Sequence, residues 1–225
     1  MIIVFALIGL IVGGLINLLA DALPDRKPLA SIGSLFRWPM PIRNLMVEVG
    51  TAIMFAFIYL QPVFADPIKL ILAGFHMAVL ILVTVTDLEH RLILNKVMFP
   101  AIAVAALTSW LWFWHEYWYV AFIGGAIGFA FFWLAVVVGG RLFGRGAMSA
   151  GDVTLAAYVG LITGFPGIIT ALVITILAGG IISVLLLLLR VVNLRSGIPY
   201  GPFLVVGGFV SILWGAAITT GFFFR

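Results

Sequence analysis

Apolar residues run in long stretches, each bounded by charge or by Pro and Gly, at roughly 2–20, 44–61, 67–86, 96–114, 118–139, 152–164, 166–189 and 201–223. A helix needs about 20 mainly apolar residues to cross the hydrocarbon core, where no water satisfies backbone polar groups. The pattern predicts an all-α, polytopic transmembrane helical bundle of about eight spans, forming one integral membrane domain over 1–225. The sixth stretch is the shortest, and only Thr163, Gly164, Phe165, Pro166 and Gly167 separate it from the seventh. If it fails to cross, the count falls to seven and the C-terminus changes side. No separate soluble domain, low-complexity tract or internal repeat is visible.

Charge orients this bundle. After stretches one, three, five and seven come Arg26, Lys27, Arg37 and Arg43, then Arg91 and Lys96, then Arg141 and Arg145, then Arg190 and Arg195. Ten of the twelve Lys and Arg therefore fall in alternate loops, with Lys69 and Arg225 opposite them. Basic residues stay on the cytoplasmic side, so these loops are expected inside and both termini outside, in a multi-pass protein of the inner (cytoplasmic) membrane. The sequence is 64% hydrophobic and 9% charged, against about a quarter charged in soluble domains. The net charge of +4 then reports topology, and nucleic acid is excluded as a partner; membrane lipid is expected. The N-terminal run has no basic residue ahead of it, so it reads as a first span rather than a cleaved signal. Trp110, Trp112, Trp114, Tyr117, Trp118 and Tyr119 read as an aromatic belt at the outer interface. Gly124 and Gly128 form a small-xxx-small face for close helix packing.

The eight carboxylates narrow the chemistry. Asp21, Asp25, Asp66 and Glu116 read as solvated loop charges. Glu48, Asp87, Glu89 and Asp152 remain. Asp87 follows AVLILVTVT at the inner end of the third stretch, and Asp152 follows GAMSAG at the inner start of the sixth. Alone, each has a bland reading: a helix cap for Asp152, or an ion pair with Arg91 or Arg145. Together they offer chemistry. Two carboxyl groups close together in a partly dry site cannot both ionise easily, so they share a proton. The ionised member draws a proton from an attacking water, and the protonated member donates to the oxyanion or leaving amine. Rival sets are poorly supplied: there is no cysteine, and His76, His115 and His90 are scattered, so no metal site is expected. Gly144, Gly146 and Gly151 allow a tight turn and a close substrate backbone near the second aspartate.

At these residues the chain resembles the prepilin peptidases, or type IV leader peptidases, among the GxGD-type intramembrane aspartyl proteases. TDLEHRLILN (Thr86 to Asn95) is similar to the first aspartate motif, and GAMSAGDVTLAAYVGLITG (Gly146 to Gly164) to the second. GGLINLLADALP, PIRNLMVEVGT and IPYGPFLVVGG extend the likeness in order along most of the chain. The resemblance implies that Asp87 and Asp152 are the catalytic pair of an aspartic endopeptidase. It implies type IV prepilin or pseudopilin precursors as substrates, cleaved at the cytoplasmic face after a short basic leader. No cofactor is implied for proteolysis. Many bacterial members also methylate the new N-terminus with S-adenosylmethionine. Three positions depart from the pattern: Ser149 stands for the first Gly of GxGD, Thr154 for a Lys, and the loop at 21–43 lacks the paired-cysteine zinc element, which sets methylation apart from proteolysis.

Supporting residues carry two readings each. Glu48 either receives the basic leader or supports the site, or else pairs with Arg43 or a loop cation. Arg91 faces lipid headgroups or substrate. Asn95 caps the fourth helix or supports the site, as Ser149 and Gly151 do beside Asp152, and Gly201 with Pro202 starts the last helix. Two further classes compete with a protease: a proton-coupled transporter or channel, and a family member that has lost activity. A relay predicts acidic residues through the membrane midplane.

Overall fold

Why the chain breaks into helices where it does is visible at each boundary. The computed structural model describes residues 1–24, 41–111, 117–142, 149–190 and 199–223. Among these, the long elements are all helical: α1 (Ile2–Ala22), α2 (Ile42–Leu60), α3 (Pro67–His90), α4 (Asn95–Leu107), α5 (Tyr119–Leu142), α6 (Ala150–Leu188) and α7 (Gly201–Phe223). Short 3-10 turns occupy Pro62–Phe64 and Ser109–Leu111. Asp66 caps α3 by accepting from the Ile68 N–H at 2.8 Å, and Pro67 supplies a first helical residue with no amide to satisfy. Asp66 is thus a helix cap rather than a merely solvated loop charge.

Among the described residues, five helices are long and apolar enough to cross a membrane: α1, α2, α3, α5 and α6. Their outward faces are lined with exposed Ile, Leu, Val and Phe, which only a lipid solvent accommodates on this scale. The fourth stretch is helical only over Asn95–Leu107. Thirteen residues rise about 20 Å, short of the ~30 Å hydrocarbon core. The sixth and seventh stretches form one interrupted element, α6, whose 39 residues would rise about 58 Å if unbroken. Helical geometry fails at Gly164 (φ 61°, ψ −176°) and Phe165 (φ −93°, ψ 136°), just before Pro166. Glycine alone adopts such a backbone freely, and proline donates no amide back to the preceding turn. The break therefore falls at the punctuation visible in the sequence.

Backbone contacts divide the chain into two units, Met1–Leu94 and Asn95–Arg225. In the first, α1 and α2 lie nearly backbone to backbone. A Cβ on Gly9 would stand 2.6 Å from the Ala52 Cα, and one on Gly13 2.6 Å from the Glu48 Cα. Side chains from all three helices close the core, including Ile16, Ala20, Phe55, Ile58, Met77 and Leu80. In the second unit α6 packs along α5, α7 and α4. A Cβ on Gly124 would collide with the Gly160 carbonyl, and one on Gly128 with that of Ala156, so the small-residue face does serve close packing. Just beyond the break, the Ser211 hydroxyl of α7 donates to the Gly167 carbonyl at 2.7 Å.

Trp110, Tyr117, Trp118 and Tyr119 are exposed at the ends of α4 and α5, as a belt requires. Trp112, Trp114, His115 and Glu116 lie outside the described residues, as do Asp25 and most of the loop at 21–43.

Candidate active site

Six of the eight carboxylates lie among the described residues, and two of them are buried. Asp87 is 5% exposed and Asp152 6%, whereas Asp21, Asp66 and Glu89 are exposed and Glu48 is half-buried. A carboxylate is almost never placed out of water unless a partner or a task holds it there.

Asp87 sits where burial stops. Val83, Val85 and Thr86 before it are buried, and Leu88, Glu89 and His90 after it are exposed. The helix ends one turn later at Arg91, which adopts the left-handed conformation (φ 53°) and returns its N–H to the Asp87 carbonyl at 2.9 Å. Arg91 itself is exposed, as is Asn95, which opens α4.

Asp152 occupies the opposite kind of helix end. Ser149 caps α6 with its hydroxyl, accepting from the Asp152 N–H at 3.3 Å, while Asp152 Oδ2 accepts from the Ser149 N–H at 2.8 Å. This reciprocal capping box settles two donors that the first turn cannot satisfy internally. The departure from glycine at 149 thus has a local cause. Ser149 is extended (φ −104°), so the position needs no positive φ, and its hydroxyl makes a bond that glycine cannot. Asp152 is a capping-box partner as well as a candidate acid, with Oδ1 outside the box. Gly151 lies within the first turn of α6, and Gly164 is the positive-φ glycine among the described residues. Gly151 therefore makes no turn of its own beside Asp152; Gly144 and Gly146 lie outside the described residues. Thr154, in place of Lys, spends its hydroxyl on the Gly151 carbonyl at 2.8 Å.

Around the ends of the first unit's helices lies a second polar group that sequence reasoning missed. Arg43 binds Glu89 through Nε and Nη2 at 2.5 and 2.6 Å, and its Nη1 reaches Asp21 at 2.9 Å. Asp21 is therefore an ion-pair partner within the last turn of α1, not a free loop charge. Glu48 does not pair with Arg43; it accepts from the Asn17 amide at 3.3 Å, and the same amide donates to the Asn44 carbonyl at 3.1 Å. Asn17 is 3% exposed, and its Oδ1 has no protein partner. Opposite charges at 21, 43 and 89 are present in the sequence, but their spacing along it carries no sign that they meet.

Among the described residues no three His, Asp or Glu side chains gather as a metal-binding set. A cavity of about 410 Å³ in the first unit is lined by Phe5, Phe55, Leu70, Phe75 and other apolar residues.

Comparison with known proteins bears on these residues. A sequence profile described as the type IV leader peptidase family matches residues 74–184, from within α3 to within α6, a segment that holds both buried aspartates. The prepilin leader peptidase/N-methyltransferase of Bacillus subtilis (strain 168) is 29% identical over 174 residues, covering 76% of this chain and 66% of that protein. Proteins of the same name from Aeromonas salmonicida (strain A449) and Pseudomonas aeruginosa are 30% and 25% identical, covering 63% and 62% of this chain. Each of those two is covered over 48% of its length, so the chain spans about half to two thirds of the relatives it matches. No solved structure matches it. With the matched segment carrying both aspartate motifs on the helix ends just described, the chain is similar to the type IV leader peptidase family over residues 74–184.

Proposed function

We propose that the protein is a membrane aspartic endopeptidase that removes the leader from type IV pilin-like precursors at the cytoplasmic face, with Asp87 and Asp152 as its catalytic pair. One observation carries the reading: among the described carboxylates only these two are buried, and both lie within the segment matched to the family. In the proposed reaction the ionised aspartate takes a proton from water as it attacks the scissile carbonyl. The protonated aspartate then gives its proton to the departing amine. Burial excludes bulk water, which would otherwise screen both transfers.

The topology belongs to the same proposal: eight crossings, with the fourth made up of α4 and the 3-10 turn that follows it at Ser109–Leu111, alternate loops in the cytoplasm, and both termini outside the inner membrane. Ten of twelve cations in alternate loops support it. So does the ion-pair group, which gathers the end of α1, the start of α2 and the end of α3. The break in α6 permits two passes in place of one overlong helix. Glu48, Arg91 and Asn95 are proposed to meet the leader and the headgroups around it. A proton relay finds no support, because the buried acids stand at helix ends rather than along a midplane.

The curated relatives are named for methyl transfer as well as cleavage. The loop at 21–43 contains no cysteine, and methylation is left out of the proposed reaction. The test is a cleavage assay on purified protein with a pilin-like precursor. Wild type is expected to release the leader. No cleavage by wild type, or cleavage by both Asp87→Asn and Asp152→Asn, would overturn the reading.

A further inference from the structure

We infer that Arg43 is a positioning residue for Asp87, acting through Glu89. The inference rests on the proposed role of Asp87 in proteolysis. Glu89 lies two residues beyond Asp87, in the final turn of α3. The end of a helix has carbonyls without onward amide partners, and its last turn frays unless something holds it. Arg91 supplies one restraint by folding back onto the Asp87 carbonyl. Arg43 supplies another. Its planar fork meets both oxygens of Glu89, at 2.5 and 2.6 Å, across 46 residues of sequence. The remaining nitrogen is engaged by Asp21 at 2.9 Å and by Asn44 Oδ1 at 3.0 Å. The guanidinium is therefore fixed from α1 and α2 before it touches α3, so it can fix Glu89 in turn.

The magnitudes favour orientation over stability. The side chains of Arg43 and Glu89 are 28% and 32% exposed, and that of Asp21 is 64% exposed. Partly solvated pairs contribute little net stability, because water competes for both partners. A bidentate arginine–carboxylate pair nevertheless fixes direction as well as distance, which a lysine cannot do. A catalytic carboxylate must be held within about 0.5 Å of its working position. The arrangement thus predicts variants that stay folded and lose turnover.

Two measurements on the full-length chain test this. In the cleavage assay Arg43→Gln and Glu89→Gln are each expected to lower kcat about 10- to 100-fold. KM should stay within about twofold. The double variant should be no slower than the slower single variant, because both remove one link. Arg43→Lys, which keeps the charge and loses the fork, should fall between wild type and Arg43→Gln; it also serves if Arg43→Gln does not fold. Separately, a spin label on Leu88→Cys is free of background, since the chain has no cysteine of its own. Its mobility should rise when Arg43→Gln or Arg43→Lys is added. Unchanged kcat, a change confined to KM, multiplicative losses in the double variant, or an unchanged label spectrum would overturn the role of Arg43. If wild type cleaves no precursor, the proteolytic reading falls, and the label spectrum still decides whether Arg43 holds the end of α3.

Discussion

The two buried aspartates sit at helix ends of opposite polarity and are secured by different kinds of interaction. Asp152 opens α6, and the serine three positions earlier holds it in a reciprocal pair of hydrogen bonds. Asp87 closes α3, and the turn that carries it is held by a left-handed arginine and by a guanidinium arriving from another helix. The first device is local and forms whenever the helix forms. The second depends on three helices having already packed. Of these two devices, only the first is written in short-range sequence.

Several substitutions break or sharpen this contrast. The largest effect belongs to the carboxylates themselves: Asp87→Asn or Asp152→Asn should each reduce cleavage on the order of 10³-fold, measured on protein that still melts cooperatively. Equal losses support a pair acting as one unit; a near-silent substitution at either position breaks it. Next comes the local device. Ser149→Ala should cost about 1 kcal/mol through the lost cap, and Ser149→Gly only a few tenths, read as shifts in thermal unfolding. At the other end the sign reverses. Arg91→Gly removes a left-handed non-glycine residue and should stabilise the protein by about 0.5–1 kcal/mol.

Much of the fold was legible because lipid imposes a simple rule on sequence. Long apolar runs became helices, Pro67 marked the start of α3, and Gly164 to Pro166 marked the break in α6. The same rule misjudged length at α4, where helix ends at Leu107 and a 3-10 turn follows, because hydropathy does not report where helical hydrogen bonding stops. In the site, Ser-Ala-Gly-Asp spells a capping box to anyone reading for caps, since the bond spans three residues. The pairing of Arg43 with Glu89 and Asp21 had no such signature. Charged residues separated by 46 and 22 positions meet only through tertiary packing, and the nearer carboxylate at Glu48 was the more obvious partner. Glu48 instead takes the amide of Asn17, whose buried position within an apolar helix was the overlooked sign.

The proposed catalytic pair requires Asp87 and Asp152 to meet, and the natural cysteine-free background makes that measurable. With Asp87→Cys and Asp152→Cys combined in the full-length chain, mild oxidation in the membrane should close a single intramolecular disulfide. Two thiols that both remain open to alkylation in the folded, oxidised protein would contradict the pairing.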